Sequence, residues 1–417
     1  MLLNRQERRA SVAEIKGLAR GSRDGRDAVL NVLYLVHNLA DAAVWRRAEM
    51  LRRGGATVEI AGFRRAGSLI ASGDDGSAIE LGQTFDAKFA QRLMAIAAAL
   101  PAIRRSVTPR APVDVIIARN LEMLMLANRL ASAPPGTPSV VYECLDIHRL
   151  LLRQDMVGGA MRQAERVLAR RCTLLLTSSP AFVREYFGGI NPLGVPALLV
   201  ENKVLNGGGE RGTNPALARP RVAGEPIRIG WFGALRCSTS LQRLAAFTRA
   251  ADGRFEVILR GKPALNEFDD FHGFVSAEPF MRFEGPYRNP DDLAQIYSEV
   301  QFAWTIDYFE AGQNSKWLLP NRLYEGCLHG AIPIALNGTE TARYLDEHGL
   351  GLRLDDTDVA TMMASLGALT EAQVAALARD VAEHDHPHFV LDDVECVALV
   401  GRLASPGRTA QPVLEAA

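Results

Sequence analysis

Paired cysteines are missing from this 417-residue chain. Its five, Cys144, Cys172, Cys237, Cys327 and Cys396, are odd in number and form no C-x-x-C pair. That argues against a disulfide scaffold or a zinc knuckle and fits a reducing compartment. Long hydrophobic runs are missing too. No window holds the roughly 18 uninterrupted apolar residues of a membrane span; Leu93–Ile103 is short and broken by Pro101. Residues 1–27 carry seven basic side chains between Arg5 and Arg26 but no apolar stretch of the signal-peptide kind. They read as a basic leader on a cytoplasmic protein, with peripheral contact to a membrane left open. There is no G-x-G-x-x-G after the first strand and no G-x-x-x-x-G-K-[ST], so neither a standard dinucleotide site nor a P-loop is supported. Ser178-Ser179-Pro180 lacks the flanking glycines of a nucleophile elbow. Net charge is also lacking: 47 Lys+Arg against 48 Asp+Glu leave −1, which argues against a generally basic nucleic-acid binder.

That balance conceals two opposite halves. Residues 1–205 hold 28 basic and 19 acidic residues, a net of +9, and residues 206–417 hold 19 and 29, a net of −10. Short apolar runs such as Val29–Val36 alternate with helical spacing such as Ala40–Arg53, the pattern of strands buried on both faces of a parallel sheet. Further strands are expected at Thr57–Ala61, Val113–Ala118, Ser139–Glu143, Leu174–Thr177 and Ala197–Val200. Leu205–Pro226, with five glycines and three prolines, reads as a linker. A second series begins at Ile227–Phe232 and continues through Phe255–Leu259, Phe302–Ile306 and Ile332–Ala335. The expected plan is a leader (1–27), a first Rossmann-like domain (28–205), a linker (206–226), a second Rossmann-like domain (227–390) and a C-terminal helix and tail (391–417). Two doubly wound α/β domains are expected to face a central cleft, with ligands at the carboxyl ends of the strands. His384-Asp385-His386-Pro387-His388 reads as a solvated turn rather than a metal site, because no cysteine or carboxylate cluster completes a ligand set.

Chemistry concentrates in Asp307–Ala335, DYFEAGQNSKWLLPNRLYEGCLHGAIPIA. A polar loop with Asn314, Ser315 and Lys316 leads into a helix that starts at Asn321-Arg322 and carries Glu325. Backbone N–H groups at a helix start favour an anion such as a diphosphate. Arg322 and Glu325 share a helix face, and a carboxylate there accepts two hydrogen bonds from a sugar diol. The stretch PNRLYEGCLHGAIPIA resembles the donor-site motif of GT-B glycosyltransferases. Gly230–Arg236 (GWFGALR) resembles the first strand and glycine turn of their C-terminal domain, and Phe283–Leu293 (FEGPYRNPDDL) resembles the segment near the nucleobase. Leu33–Arg65, together with GWFGALR, is similar to bacterial exopolysaccharide glycosyltransferases of the succinoglycan ExoL type, over roughly residues 29–405.

That resemblance implies a GT-B enzyme moving a hexose, glucose from UDP-glucose being the first choice, onto a polyprenyl-diphosphate-linked oligosaccharide. Apart from the nucleotide sugar it implies no cofactor and no metal. The donor-side candidates are Gly233, Arg236, Arg260, Lys262, Tyr287, Asn314, Ser315, Lys316, Asn321, Arg322 and Glu325. Arg236, Arg260 or Lys262 would clamp the diphosphate, Tyr287 would stack on the base, and Lys316 would neutralise the leaving group. Each has an ordinary reading beside it: a solvated loop cation, a half-buried tyrosine, a helix-surface acid. Many retaining members carry E-x7-E; here Trp317 occupies the first acidic position, which leaves stereochemistry open, while the ExoL type implies inversion. For the general base, Asp146 comes first and His148 second, since both follow the strand Ser139–Glu143; the competing role for Asp146 is a helix cap. His37, Asn38 and Asp41 follow the first strand as acceptor-side candidates, with Arg119 and Glu122 weaker ones. Phe85–Arg110 has the spacing of a basic amphipathic helix, suited to an anionic inner membrane or to packing on the core. The rival readings are a sugar-nucleotide epimerase of the same fold and a non-catalytic GT-B-like subunit.

Overall fold

The computed structural model describes residues 29–65, 78–84, 96, 98–132, 137–205, 224–384 and 386–406. The leader, most of the expected linker and residues 85–95 and 97 of the expected Phe85–Arg110 helix lie outside the described residues; the described remainder is not one continuous helix, since a turn at 100–102 precedes a short helix at Ile103–Ser106 and no helix reaches Arg110. The chain divides into two compact units, residues 1–200 with 392–417, and residues 201–391. By unit the charge split persists: 29 basic against 22 acidic residues (+7) in the first, 18 against 26 (−8) in the second.

Unit 1 is built on seven parallel strands in the order β3-β2-β1-β4-β5-β6-β7. They are β1 (Asn31–Val36), β2 (Thr57–Arg65), β3 (Ile79–Thr84), β4 (Val115–Arg119), β5 (Ser139–Cys144), β6 (Cys172–Thr177) and β7 (Ala197–Leu199). Tyr34, Leu35 and Val36 of β1 and Ile117 and Ala118 of β4 are wholly buried, as strands covered on both faces require. The helices include α1 (Ala42–Arg53), α2 (Leu121–Ala131), α3 (Arg149–Leu152) and α4 (Met156–Ala169). Asp41 starts α1 by accepting from the Ala43 N–H, and Asp155 starts α4 by accepting from Gly158.

Unit 2 opens with the short strand β8 (Val204–Leu205). Its six-stranded parallel sheet, ordered β11-β10-β9-β12-β13-β14, comprises β9 (Ile227–Leu235), β10 (Phe255–Pro263), β11 (Met281–Phe283), β12 (Phe302–Trp304), β13 (Ile332–Leu336) and β14 (Leu352–Leu354). Along β9, Ile229 and Trp231 enter one core with Phe247 and Trp304, while Phe232 enters another with Ile258, Ile296 and Tyr297. That period-two division is why β9 is apolar throughout from Ile229 to Leu235. The main helices are α5 (Ser238–Ala250), α6 (Leu293–Ser298), α7 (Asn321–Leu328), α8 (Glu340–His348) and α9 (Glu371–Glu383). Strand β15 (Val390–Leu391) returns to pair with β8.

The last helix, α10 (Asp393–Ala404), corrects the expected plan: it belongs to unit 1, not to a separate C-terminal appendage. It packs so tightly on the end of α1 that a Cβ on Gly54 would stand 2.3 Å from the Cys396 carbonyl oxygen. The other boundary falls at Val200/Glu201, ahead of the glycine-rich stretch, because β8 pairs within unit 2.

A buried ion network ties unit 1 together. Glu143 of β5 is fully buried; its Oε1 accepts from Arg47 Nε of α1 at 2.7 Å, and the Tyr34 hydroxyl donates to its Oε2. Arg119 of β4 stands 3.6 Å from the same carboxylate and donates to Tyr34 Oη at 3.0 Å and Asp41 Oδ2 at 2.9 Å. Burial alone would raise the Glu143 pKa, but the two guanidinium groups outweigh it and hold the carboxyl below its usual value. A depressed folded pKa means this stabilisation is present above about pH 4.5 and is lost as pH falls through the folded value. Replacing Glu143 with Ala takes the carboxylate partner from buried Arg47 and leaves Arg119 with Asp41 alone, at a cost of about 3–5 kcal/mol. Urea unfolding of Glu143→Ala at pH 7 measures that loss, and the difference from the native chain should shrink at acid pH.

Candidate functional site

Both sheets reverse their strand order once, between β1 and β4 in unit 1 and between β9 and β12 in unit 2. At such a switch point the connections leave in opposite directions, and a crevice opens at the carboxyl ends of the strands. In unit 2 the crevice is flanked by Arg236, directly after β9, and Asp307, three residues after β12. Arg236 Nη2 donates to Asp307 Oδ2 at 3.0 Å, and its guanidinium lies 4.7 Å from the centre of the Phe309 ring. Asp307 Oδ1 accepts the Phe309 N–H at 2.8 Å. The Cys237 thiol accepts from Ser240 N and Tyr308 N, both at 3.3 Å, and so ties the loop after β9 to the loop after β12.

Arg322 reaches the same place from the first turn of α7. Its Nη2 lies 3.4 Å from the Ile306 carbonyl oxygen, a long contact, and its Nε is buried with no hydrogen bond. Burial disfavours the Arg322 charge, Asp307 supports it and Arg236 opposes it; the result is a lowered pKa. At Asp307, burial would raise the pKa, but Arg236, Arg322 and the Phe309 N–H together lower it. Two guanidinium groups thus share one ionised carboxylate, and the site carries an excess positive charge. Helix α7 follows Pro320, which gives no side-chain cap, so its first turn also directs positive dipole outward. An unsatisfied buried N–H, a surplus cation and an uncapped helix start are together suited to a polyanion.

The neighbouring backbone leaves room for one. Gly233 has φ +112°, and an added Cβ would enter space 3.9 Å from the Tyr287 hydroxyl. Gly261, opposite it on β10, has φ +127°, and a Cβ there would strike the Gly233 carbonyl oxygen at 1.9 Å. Tyr287 is half-buried, edge-on to Phe232, and both burial and the nearby Glu325 raise its hydroxyl pKa. Glu325 is only 3% exposed; Asn289 Nδ2 donates to its Oε1 at 2.7 Å, and the Tyr297 hydroxyl lies 3.5 Å from Oε2.

The other donor-side candidates divide. Arg260 turns to Glu299 at the end of α6, donating at 3.0 Å, while the Arg236–Asp307–Arg322 cluster forms without it. Lys262 and Lys316 are exposed. Ser315 Oγ accepts the Glu310 N–H at 3.0 Å and shapes the loop, Asn314 is buried, and Asn321 is exposed at the first turn of α7.

In unit 1, Asn120 follows β4 with φ +70° and ψ 165°, a conformation costly for a residue with a side chain. Its Nδ2 lies 3.3 Å from His37 Nδ1 across the switch point. Asn38 folds back to accept the Ala40 N–H at 3.1 Å, and Asp41 is committed to the α1 N-terminus and Arg119. Burial would raise the Asp41 pKa, but Arg119 and the Ala43 N–H lower it, so Asp41 is a weak base. Arg119 belongs to the buried network and Glu122 is buried at the start of α2. Asp146 lies exposed two residues beyond β5. His148 starts α3, its Nδ1 accepting the Leu150 N–H at 3.3 Å. A neutral His148 ring therefore carries its proton on Nε2 and presents a donor, which leaves Asp146 the better proton acceptor.

No protein-family model matches the chain. It is, however, 53% identical over 380 residues to the succinoglycan biosynthesis protein ExoL of Rhizobium meliloti (strain 1021), covering 90% of this chain and 94% of that one. The chain belongs to the ExoL family. Solved structures with the same fold include sucrose-phosphate synthase from Thermosynechococcus elongatus (TM-score 0.65, 14% identity, 90% of this chain and 98% of that one). Another is HepE from Anabaena in complex with UDP (TM-score 0.61, 12% identity, 90% and 100%). This member of the ExoL family thus has the GT-B fold, with two parallel α/β units.

Sequence reasoning finds Arg236, Arg322 and Glu325 but passes over Asp307, Asn289 and Asn120. Asp307 has a signal, since it follows a predicted strand at a switch point; Asn289 and the strain at Asn120 have none. Arg322→Ala should weaken pyrophosphate binding more than tenfold by calorimetry, whereas Lys262→Ala should stay within about twofold. Equal losses in both variants would mean that general surface charge, not this crevice, holds the anion.

Proposed function

We propose that this ExoL-family enzyme transfers a hexose from a nucleotide sugar, UDP-glucose being the first choice, to a lipid-diphosphate-linked oligosaccharide in succinoglycan-type exopolysaccharide assembly. The observation that carries the donor half is the buried, unsatisfied Nε of Arg322 beside the Arg236–Asp307 pair. In this reading Arg236 and Arg322 hold the diphosphate, Glu325 exchanges Asn289 for ribose hydroxyls, and Tyr287 borders the sugar or base next to Gly233. HepE, which shares the fold, was solved in complex with UDP, and that supports a uridine nucleotide.

Transfer proceeds with inversion in this proposal. The acceptor hydroxyl gives its proton to Asp146 as its oxygen attacks the anomeric carbon. The bond from that carbon to the diphosphate oxygen breaks, and the departing charge is met by Arg322, Arg236 and Lys316 rather than by a metal ion. His37, Asn38 and Asp41 form the acceptor-side loop, with His37 presented by Asn120. The +7 net charge of unit 1 supports a peripheral position on an anionic cytoplasmic membrane surface, where such acceptors reside. Among the described residues no helix is long and apolar enough to cross a membrane.

Glu325→Ala should weaken UDP-glucose binding at least tenfold; unchanged binding would remove the donor-site argument. Asp146→Asn should lower kcat by about 10²–10⁴-fold with donor affinity intact, and His148→Gln should cost far less. Interconversion of the sugar nucleotide without acceptor would instead favour the epimerase reading. Binding to vesicles should require anionic lipid and weaken with salt more than donor binding does.

A further inference from the structure

Unit 2 contains a group of side chains with no part in the transfer chemistry. His348 is the last residue of α8, His384 follows the end of α9, and His388 closes a short turn before β15. The ligand atoms these three histidines offer lie within 4.8 Å of one another, and all three residues are half-buried. Their rings form a near-equilateral triangle, with centroids 4.8 Å apart for His384–His388, 5.0 Å for His348–His388 and 5.4 Å for His348–His384. The sequence pattern alone suggests a solvated turn. It is a turn, but His384 and His388 are drawn inward against His348, which stands in a different helix.

We propose that His348, His384 and His388 form a binding site for a zinc-type divalent transition metal. Three imidazoles on one face of a tetrahedral ion, with metal–nitrogen bonds of ~2.0–2.1 Å, place their ring centroids about 5 Å apart. The observed triangle matches that spacing. The ligand nitrogens of such a site are roughly 3.3 Å apart, a closure from the present separations that ring rotation supplies. His348 is already oriented: its Nδ1 lies 2.8 Å from the Tyr344 carbonyl oxygen, and its ring stacks on Tyr344 with centroids 4.1 Å apart. Hydrogen bonding of one nitrogen to a backbone carbonyl fixes the tautomer and leaves Nε2 as the nitrogen able to bind a metal, as in metal-bound histidines generally. The Tyr344 hydroxyl meets the His388 carbonyl oxygen at 3.4 Å, so the same residue supports two of the three ligands.

An all-imidazole set selects zinc, cobalt, nickel or copper over magnesium and manganese, which prefer oxygen ligands. The site therefore differs in kind from the hard-metal sites that neutralise diphosphates. Its place in the chain gives it a structural task. His384 and His388 lie on the segment that leads out of unit 2 through β15, and His348 anchors them to α8. A bound ion would fasten that exit segment to the body of unit 2.

The test uses the tag-free full-length chain stripped with chelator. Calorimetric titration with Zn²⁺ should show one ion per chain, and thermal melting should show a higher Tm with Zn²⁺ but not with Mg²⁺. Each of His348→Ala, His384→Ala and His388→Ala should weaken binding more than tenfold. Because His384→Ala alters a packed turn, His348→Gln serves as the milder variant, its melting in chelator required to match the native chain. Co²⁺ should give visible bands of tetrahedral intensity without a thiolate charge-transfer band. Absence of stoichiometric Zn²⁺ binding, affinity indifferent to all three histidines, or a thiolate band would overturn the proposal. None of these readouts depends on sugar transfer.

Discussion

An arginine–aspartate pair spans the switch point of each sheet, and the two pairs have different fates. In unit 1, Arg119 and Asp41 join Glu143, Arg47 and Tyr34 in a network where each charge meets an opposite one. In unit 2, Arg236 and Asp307 are joined by a second arginine whose Nε stays unsatisfied. A satisfied buried network rigidifies its surroundings, while a half-satisfied one retains affinity for whatever completes it. The same topology thus yields a fixed scaffold in one unit and a receptive crevice in the other.

Much of the sheet architecture was legible because strands buried on both faces are apolar without interruption. The cores of these runs, Val32–Val36, Val115–Ala118 and Ile229–Leu235, are of this kind. Strand β3, with the sequence IELGQT, was not legible, since an edge strand is buried on one side at most and mixes polar residues with apolar ones. The three-residue β14 is too short to carry a period. In unit 2, Arg236 could be picked out because it stands just past the end of β9, where residues lie at the switch point. The same rule picked Arg260, yet only the fold reveals that its side chain turns to Glu299. His348 was unreadable as a companion of His384 and His388, because helix α8 reaches the turn only through tertiary packing.

The charge asymmetry changes meaning when assigned to units instead of halves. It weakens slightly, to +7 and −8, because the acidic start of α10 belongs to the basic unit. Within the acidic unit the positive charge that matters is local: two arginines in a crevice, partly offset by Asp307. Net charge sets long-range attraction to surfaces, whereas these few buried groups set what is held.

Helix α10 has a consequence for how the protein is made. Unit 1 is split in the sequence, with all of unit 2 between its two parts. A ribosome delivers β1 to β7 early, but the helix that covers Gly54 emerges only after all of unit 2. Domains usually fold as they appear, the N-terminal one first. Here the first unit must wait, its α1 flank bare, until the second has been synthesised. Folding order is therefore inverted relative to chain order: the unit begun first is completed last.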